Sequence, residues 1–271
     1  MNTIKITRRK EVSSSTMYNV LYILPLAMLI CAFIVASPVE LLEGIALIYK
    51  ANDILLTDYL LIAGVGATLL NAASVIFINL WLLRRLDFKP NGVIIAALFL
   101  LAGFSFMGKN LFNIWPFYLG GYLYSKYHQM PYKNVVIINM FSTALSPLVS
   151  LIGESMSHNM IYGIIIMAVV GGFIGFIMPT VSSHIVTLHA GYNLYNSSLL
   201  TYNDWRLVTF FVLYCIVLIG VGYRINEKTF KGYRRLLGHS GRIVTDMIKQ
   251  DGFGLSLVNM GILGLLCIGF V

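Results

Sequence analysis

Residues 160–178 read MIYGIIIMAVVGGFIGFIM and contain no charged side chain. A helix that crosses the hydrocarbon core of a bilayer needs about 20 consecutive, mostly apolar residues. This stretch is therefore predicted to be a transmembrane helix. Working outward from it, the same criterion identifies further apolar runs at 17–36, 54–83, 93–107, 134–152, 207–223 and 254–271, and two less apolar segments at 110–125 and 180–200.

The composition agrees with a membrane protein. Hydrophobic residues make up 58% of the 271 residues and charged residues only 11%, and the mean hydropathy is +0.80. Soluble domains carry about 25% charged residues, so these values exclude a soluble globular enzyme, a disordered tail and a nucleic-acid-binding protein. The net charge of +8 needs no nucleic acid partner, because basic residues of membrane proteins collect in cytoplasmic loops. The expected fold class is all-α, a polytopic integral membrane protein surrounded by membrane lipid.

The distribution of basic residues predicts the orientation of the chain. Most lysines and arginines lie in four regions: the N-terminus, residues 84–89, residues 126–133 and residues 224–249. The positive-inside rule places all four in the cytoplasm if both less apolar segments cross the membrane. This gives about nine crossings, a cytoplasmic N-terminus and a location in a bacterial plasma membrane. In the alternative, segments 110–125 and 180–200 are re-entrant, and the loop with Lys126 and Lys133 faces outward.

An internal repeat is suggested by identities at one constant offset. Thr57-Asp58 corresponds to Thr245-Asp246, Gly64 to Gly252, Gly66 to Gly254 and Asn71 to Asn259. An odd number of predicted crossings separates the two copies, so they would be inverted, as in many secondary transporters. The expected organisation is an N-terminal segment, first helix and outer loop at 1–53, a first membrane repeat at 54–223, a basic cytoplasmic loop at 224–253, and the first span of an incomplete second repeat at 254–271. Self-association, or a missing second repeat, is the expected protein partner.

One hexapeptide pattern, G-x-N-L-aromatic-N, occurs at 108–113 and again at 191–196, once in each less apolar segment. Non-helical backbone at membrane depth is tolerated only where protein or a water-filled cavity covers it. The pattern therefore predicts two broken helices that line a solute path. Alternatively, the asparagines hold helices together by hydrogen bonds, and Lys109 snorkels to the outer interface. The candidate path residues are Lys109, Asn110, Asn113, His184, His189, Gly191, Tyr192, Asn193, Tyr195 and Asn196.

The histidines of segment 180–200 do not form a metal pair. His184 and His189 are five residues apart and would lie on different faces of a helix. His189 is expected to line the path or relay protons, or else to donate a hydrogen bond to a backbone carbonyl. The sequence contains no phosphate-binding loop and no metal-binding spacing, so no cofactor and no metal are expected. Asn71, Asn79 and Asn139 are expected to form hydrogen bonds between helices.

Three longer motifs carry a resemblance to a known family. They are the segment from Asn91-Gly92 to Trp115-Pro116, FSTALSPLVS at 141–150, and HAGYNLYN at 189–196. The chain resembles an uncharacterised bacterial multi-pass membrane family, a domain of unknown function, over most of residues 54–271. Members of that family are longer, so the resemblance implies a first repeat plus the start of a second. It implies no established substrate or reaction.

Three functions are compatible with these observations. The first is a transporter or channel for a small solute, or half of one. The second is a membrane-embedded enzyme that uses His184, His189 or His158, although no Asp or Glu lies in the spans near them. The third is a non-transporting scaffold or sensor that binds a partner through the basic loop at 224–249.

Overall fold

The fold was analysed in a computed structural model that describes residues 12–51, 57–157, 159–189, 205–238 and 247–269. The side chains of Met160, 183–189, 205–207 and 267–269 are not part of that description. The regular elements in the described residues are helices: α1 (Ser14–Val35), α2 (Pro38–Lys50), α3 (Tyr59–Arg85), α4 (Gly92–Phe104), α5 (Leu111–Tyr127), α6 (Val136–Ser142), α7 (Ser146–Met156), α8 (Met160–His189), α9 (Trp205–Ile225), α10 (Tyr233–Leu237), α11 (Met247–Asp251) and α12 (Phe253–Gly269), with 3₁₀ turns at Tyr132–Asn134 and Thr143–Leu145.

Five helical stretches in the described residues are long and apolar enough to cross a membrane. They are Ser14–Val35, Tyr59–Arg85, Val136–Met156, Ile161–Ser182 and Val208–Ile225. Two further apolar helices, Gly92–Phe104 and Phe253–Leu266, are shorter. The expected all-α fold with several membrane-spanning helices is therefore present, and five spans meet the length criterion.

Two elements differ from the sequence-based expectation. Residues 38–50, which were expected in an outer loop, form helix α2. A reciprocal cap starts it: the Ser37 hydroxyl accepts from the Glu40 backbone N–H, and the Glu40 carboxylate accepts from the Ser37 N–H at 2.7 Å.

The expected boundary between the runs at 160–178 and 180–200 is wrong, because α8 continues through Pro179 to His189. Neighbouring side chains and helices can satisfy the backbone that a membrane proline frees.

The chain divides into two compact units. The larger unit comprises residues 21–88 and 93–199, and the smaller unit comprises residues 1–20, 89–92 and 200–271. In the larger unit, α5 packs on α8, α2 on α3, and α7 on α8. In the smaller unit, α9 packs on α12.

Glycines allow the close packing of α5 on α8. A Cβ atom at Gly120 would collide with the backbone of Gly172, and one at Gly175 would collide with the backbone of Phe117. Small residues at helix interfaces are typical of membrane proteins, because the hydrophobic effect does not drive association between helices in lipid. The α5–α8 pair therefore forms a rigid wall for the polar site described below.

Candidate functional site

The polar site of the larger unit is built around the interruption between α4 and α5, residues 105–110. Helix α4 ends with the Ser105 N–H donating to Leu101 and Ala102, and the Lys109 N–H returns to the Phe104 carbonyl at 3.1 Å. Gly108 has φ of 79°, a conformation that glycine adopts without steric cost. These six residues therefore form a defined break of the helix.

The G-x-N-L-aromatic-N motif at 108–113 encodes the start of α5. The Asn110 Oδ1 accepts from the backbone N–H groups of Phe112 and Asn113, at 2.9 and 3.0 Å. The Asn113 Oδ1 in turn accepts from the Asn110 N–H at 3.0 Å. This is a capping box in which asparagine replaces the usual glutamate. The hexapeptide pattern predicts the break but not the cap, although asparagine is among the preferred N-cap residues.

The amide groups of the same two asparagines bind neighbouring elements. Asn113 Nδ2 donates to the Gly108 carbonyl at 2.8 Å and to the Ser150 hydroxyl of α7 at 3.2 Å. Asn110 Nδ2 donates to the Tyr59 hydroxyl at the start of α3, at 3.0 Å. The cap of α5 therefore also connects α3, α5 and α7.

Helix α3 contains a second interruption beside the first. Gly64 has φ of 77° and ψ of 169° inside α3, and Asp58 caps the first turn of this helix. The Tyr59 N–H donates to the Phe106 carbonyl at 3.2 Å. The short first part of α3 is therefore bonded to the break between α4 and α5.

Asn71 connects the long part of α3 to the same break. Its Nδ2 donates to the carbonyls of Ser105 and Lys109, at 2.9 and 2.8 Å. Its side chain is 1% exposed. Inside the protein, the Asn71 amide therefore gives these two carbonyls the hydrogen bonds that water gives to exposed carbonyls.

Two other asparagines hold helices together, as expected. Asn79 of α3 accepts a hydrogen bond from the Tyr118 hydroxyl of α5. Asn139 of α6 donates to the carbonyls of Phe117 in α5 and Gly175 in α8. The prediction of interhelical hydrogen bonds is therefore confirmed for Asn79 and Asn139, whereas Asn71 bonds to the non-helical residues between α4 and α5.

Lys109 is buried, so the alternative that it snorkels to the outer interface is wrong. Its side chain is 0% exposed. The Nζ donates to the Thr143 hydroxyl at 3.0 Å and lies 5.1 Å from the centre of the Phe104 ring. The hydroxyl of Thr143 donates to the Met140 carbonyl, which leaves its oxygen free to accept from the lysine. The hydrogen-bond partner Thr143 is 34 residues away in sequence, so spacing alone does not reveal this contact.

A cavity of about 530 Å³ opens beside the cap of α5. Its polar floor includes Asn110, Asn113 and Ser150, which are all less than 9% exposed. The wall consists of residues from α2, α5, α7 and α8 and the turns that follow α2 and α7: Tyr49, Lys50, Ala51, Phe112, Gly153, Glu154, Ser157, Gly163, Ile164 and Met167. The floor of the cavity is thus made of amide and hydroxyl groups that are hydrogen-bonded to one another and to neighbouring protein groups.

The structure brings together three of the predicted path residues. Asn110 and Asn113 line the cavity, and Lys109 lies next to them in the chain. His184 and His189 lie on α8, but their side chains are outside the described residues. Five other predicted residues also lie outside the described residues: Gly191, Tyr192, Asn193, Tyr195 and Asn196. The described residues contain no group of three or more His, Cys, Asp or Glu side chains that could hold a metal ion.

The smaller unit contains a local geometry similar to that at Gly64. Gly252 has φ of 88° and separates the short α11 from the long α12. The Ser256 hydroxyl donates to the Gly252 carbonyl at 2.9 Å, as the Thr68 hydroxyl does to the Gly64 carbonyl at 2.8 Å. The correspondence is the one that the sequence offset predicts.

Comparisons with known proteins place this geometry in a family. Comparison with curated proteins and with solved structures found no match. The sequence profile of one family matches residues 37–200 and 225–271, and these ranges include both helix breaks and the whole cavity lining. The resemblance to an uncharacterised family is thereby confirmed. The chain belongs to the family described as "Protein of unknown function (DUF1576)".

Proposed function

We propose that the protein is a transporter or channel for a small solute, or part of one, and that the solute path includes the cavity beside the cap of α5. The observation that carries this proposal is a polar cavity lined by Asn110 and Asn113, which start α5 directly after the non-helical residues 105–110, a segment that is itself hydrogen-bonded to the interrupted helix α3. Interrupted helices form the binding sites of many secondary transporters. Simple helix packing would not require either break, because continuous helices satisfy their own backbone.

The polar floor of the cavity supports this function. Asn110, Asn113 and Ser150 present donors and acceptors in a chain that is otherwise strongly apolar. Such groups can replace part of the hydration shell that a solute loses when it enters the protein. The hydrogen bonds between them fix their positions before a solute arrives, which lowers the entropic cost of binding.

The proposed architecture is an inverted repeat with about nine membrane segments, a cytoplasmic N-terminus and a location in a bacterial plasma membrane. The similar geometry at Gly64 and Gly252 supports the repeat, and the distribution of basic residues supports the orientation. In this arrangement the turns after Lys50 and Met156 face outward. The cavity, which reaches both turns, would then open to the outside.

Uptake by proteoliposomes tests the function. The purified full chain is reconstituted and screened with a panel of radiolabelled small solutes. Ser150→Phe fills the cavity floor and should abolish uptake. Ser155→Phe is the matched control, because Ser155 lies on the same helix with its side chain exposed, and it should transport normally. Uptake that persists in Ser150→Phe at the wild-type rate would exclude this cavity as the path.

A further inference from the structure

We propose that residues 224–237, termed the basic turn, form a binding site for the headgroups of anionic phospholipids. The cationic side chains of the basic turn bind the lipid phosphate, and two exposed apolar side chains enter the interfacial layer of the same leaflet. The inference does not depend on the proposed solute path, because the basic turn belongs to the smaller unit and the cavity to the larger one.

The position of the basic turn brings it to the membrane surface. Helix α9 contains the span Val208–Ile225, and the basic turn begins where that span ends. A membrane helix leaves the hydrocarbon core at the end of its apolar length, so the residues that follow lie among the lipid headgroups. Charges at this depth are closer to the headgroups than the Debye length of about 8 Å at physiological salt, so they are only partly screened.

The basic turn carries more positive charge than it neutralises by itself. Glu227 is the only acidic residue within it. Of its basic residues, one is paired, because Arg235 donates through Nε and a terminal nitrogen to the buried carboxylate of Asp251, both at 3.0 Å. The other four basic side chains are exposed: Arg224, Lys228, Lys231 and Arg234. Clusters of this size directly beside a span attract anionic lipids.

Hydrogen bonds fold the backbone of the basic turn into one defined arrangement. The Asn226 side-chain amide donates to the Thr229 carbonyl, and the Lys228 N–H donates to the Tyr223 carbonyl at 2.9 Å. Glu227 and Lys228 both have positive φ, 58° and 57°, a conformation that costs free energy in residues other than glycine. Because the turn is already ordered, a bound headgroup does not have to order it, which lowers the entropic cost of binding.

Helix α10 directs one side to the protein and the other outward. The Tyr233 hydroxyl donates to Asn259 of α12 at 3.2 Å, and Leu236 is buried. Arg234 and Leu237, which are also three residues apart, are both exposed. Residues at this spacing are neighbours on one side of a helix. Helix α10 is therefore attached to α12 with an arginine and a leucine on its outer side.

Two exposed apolar side chains accompany the cations. Phe230 is 53% exposed and Leu237 is 61% exposed, and the centre of the Phe230 ring lies 4.9 Å from that of Tyr223 at the end of α9. Aromatic and leucine side chains beside lysine and arginine are typical of segments that lie in the membrane interface, where they bury apolar area while the cations attract anionic lipid. A turn that only contacted water would gain nothing from exposing Phe230 and Leu237, so the combination favours a lipid over a soluble anion.

Photocrosslinking identifies the lipid that lies at the basic turn. Phe230 of the full chain is replaced by the photoreactive p-benzoylphenylalanine, and the purified protein is reconstituted in vesicles of equal parts phosphatidylglycerol and phosphatidylcholine with the same acyl chains. After irradiation, mass spectrometry measures the ratio of the two lipids in the adducts. The matched control carries the photoreactive residue at Phe173, which is exposed within the uncharged span Ile161–Ser182.

The expected ratio of phosphatidylglycerol to phosphatidylcholine is at least about fivefold higher at position 230 than at position 173, since one basic residue near the surface already gives roughly this preference. Raising the salt concentration from about 0.05 M to about 0.5 M should reduce the difference, because the Debye length becomes shorter. Equal ratios at positions 230 and 173 in low salt would overturn the proposal.

Charge variants then test whether the basic turn causes the preference. Lys228→Gln, Lys231→Gln and Arg234→Gln together should bring the ratio at position 230 close to that at position 173. The charge-conserving set Lys228→Arg, Lys231→Arg and Arg234→Lys should keep the preference. Lys126→Gln should keep it too, because Lys126 is exposed on α5 in the larger unit. An unchanged ratio in the folded triple-glutamine variant would overturn the proposal, and if that variant fails to fold, the comparison of positions 230 and 173 decides.

Discussion

Asn71 provides the most direct test of how the site is held together. Its amide donates to the Ser105 and Lys109 carbonyls, so Asn71→Leu, which has a similar volume, removes both hydrogen bonds. Side-chain hydrogen bonds inside membrane proteins contribute about 0.6 kcal/mol on average and up to about 1.7 kcal/mol each. For two bonds, the free energy of unfolding should fall by about 1–3 kcal/mol. Asn71→Asp should also destabilise the protein, because a carboxylate cannot donate to a carbonyl.

The assay combines thermal unfolding in detergent with hydrogen–deuterium exchange. Asn71→Leu should lower the midpoint of unfolding and accelerate exchange in residues 105–110, while exchange in α2 stays unchanged. Ser74→Ala is the matched control on the same helix, because the Ser74 hydroxyl donates only to the Leu70 carbonyl of α3 among the bonds described for it. Wild-type stability together with wild-type exchange in Asn71→Leu would refute the conclusion that this side chain stabilises the break.

Three further predictions concern single positions elsewhere in the chain. Gly64→Ala and Gly252→Ala should each lower the free energy of unfolding by about 1–3 kcal/mol, because both glycines have positive φ. Thermal unfolding measures this loss, and variants as stable as the wild type would argue against the two breaks. Gly175→Ala should disrupt the α5–α8 contact and lower the unfolding midpoint, whereas Gly220→Ala, with open space around it, should be tolerated. The backbone N–H of Ser37, and then its hydroxyl, donate hydrogen bonds to the Glu40 carboxylate and hold its pKa below the usual value. The stabilising effect of this cap is therefore complete at pH values above the usual glutamate pKa. It is lost as the pH falls through the lowered pKa of Glu40. Thermal unfolding between pH 7 and pH 3 should show less loss of stability for Glu40→Gln than for the wild type, and identical pH profiles would contradict the cap.

The membrane class and most helix positions could be predicted because lipid imposes a simple length requirement on every span. Helix α2 was missed for the opposite reason: it is too short for a span, and its start is marked only by Ser37, Pro38 and Glu40. The continuity of α8 could not be predicted from hydropathy, because the chain becomes less apolar after residue 178 although the helix continues through Pro179, which membrane helices tolerate. Apolar length therefore identifies spans reliably and says little about the short helices and breaks between them.

The candidate site could be predicted in part. The hexapeptide at 108–113 predicts an interruption, because glycine and asparagine there oppose helix continuity, and the non-helical residues 105–110 overlap it. The burial of Lys109 could not be predicted, since its hydrogen-bond partner Thr143 comes from another part of the chain. The role of Ser150 was missed because a lone serine has no signal in sequence. Its place in the cavity lining follows only from the position of α7 beside the cap of α5.

The break between α4 and α5 explains three of the asparagines that are buried in this apolar chain. Each interruption of a helix leaves backbone groups without partners, and lipid offers none. Asn71 satisfies carbonyls of the break between α4 and α5, while Asn110 and Asn113 satisfy the N–H groups at the start of α5. A continuous helix would have needed none of these side chains. The hydrogen bonds that stabilise the break thus also place Asn110 and Asn113 at the cavity, so the same residues that make the interruption possible create the polar site.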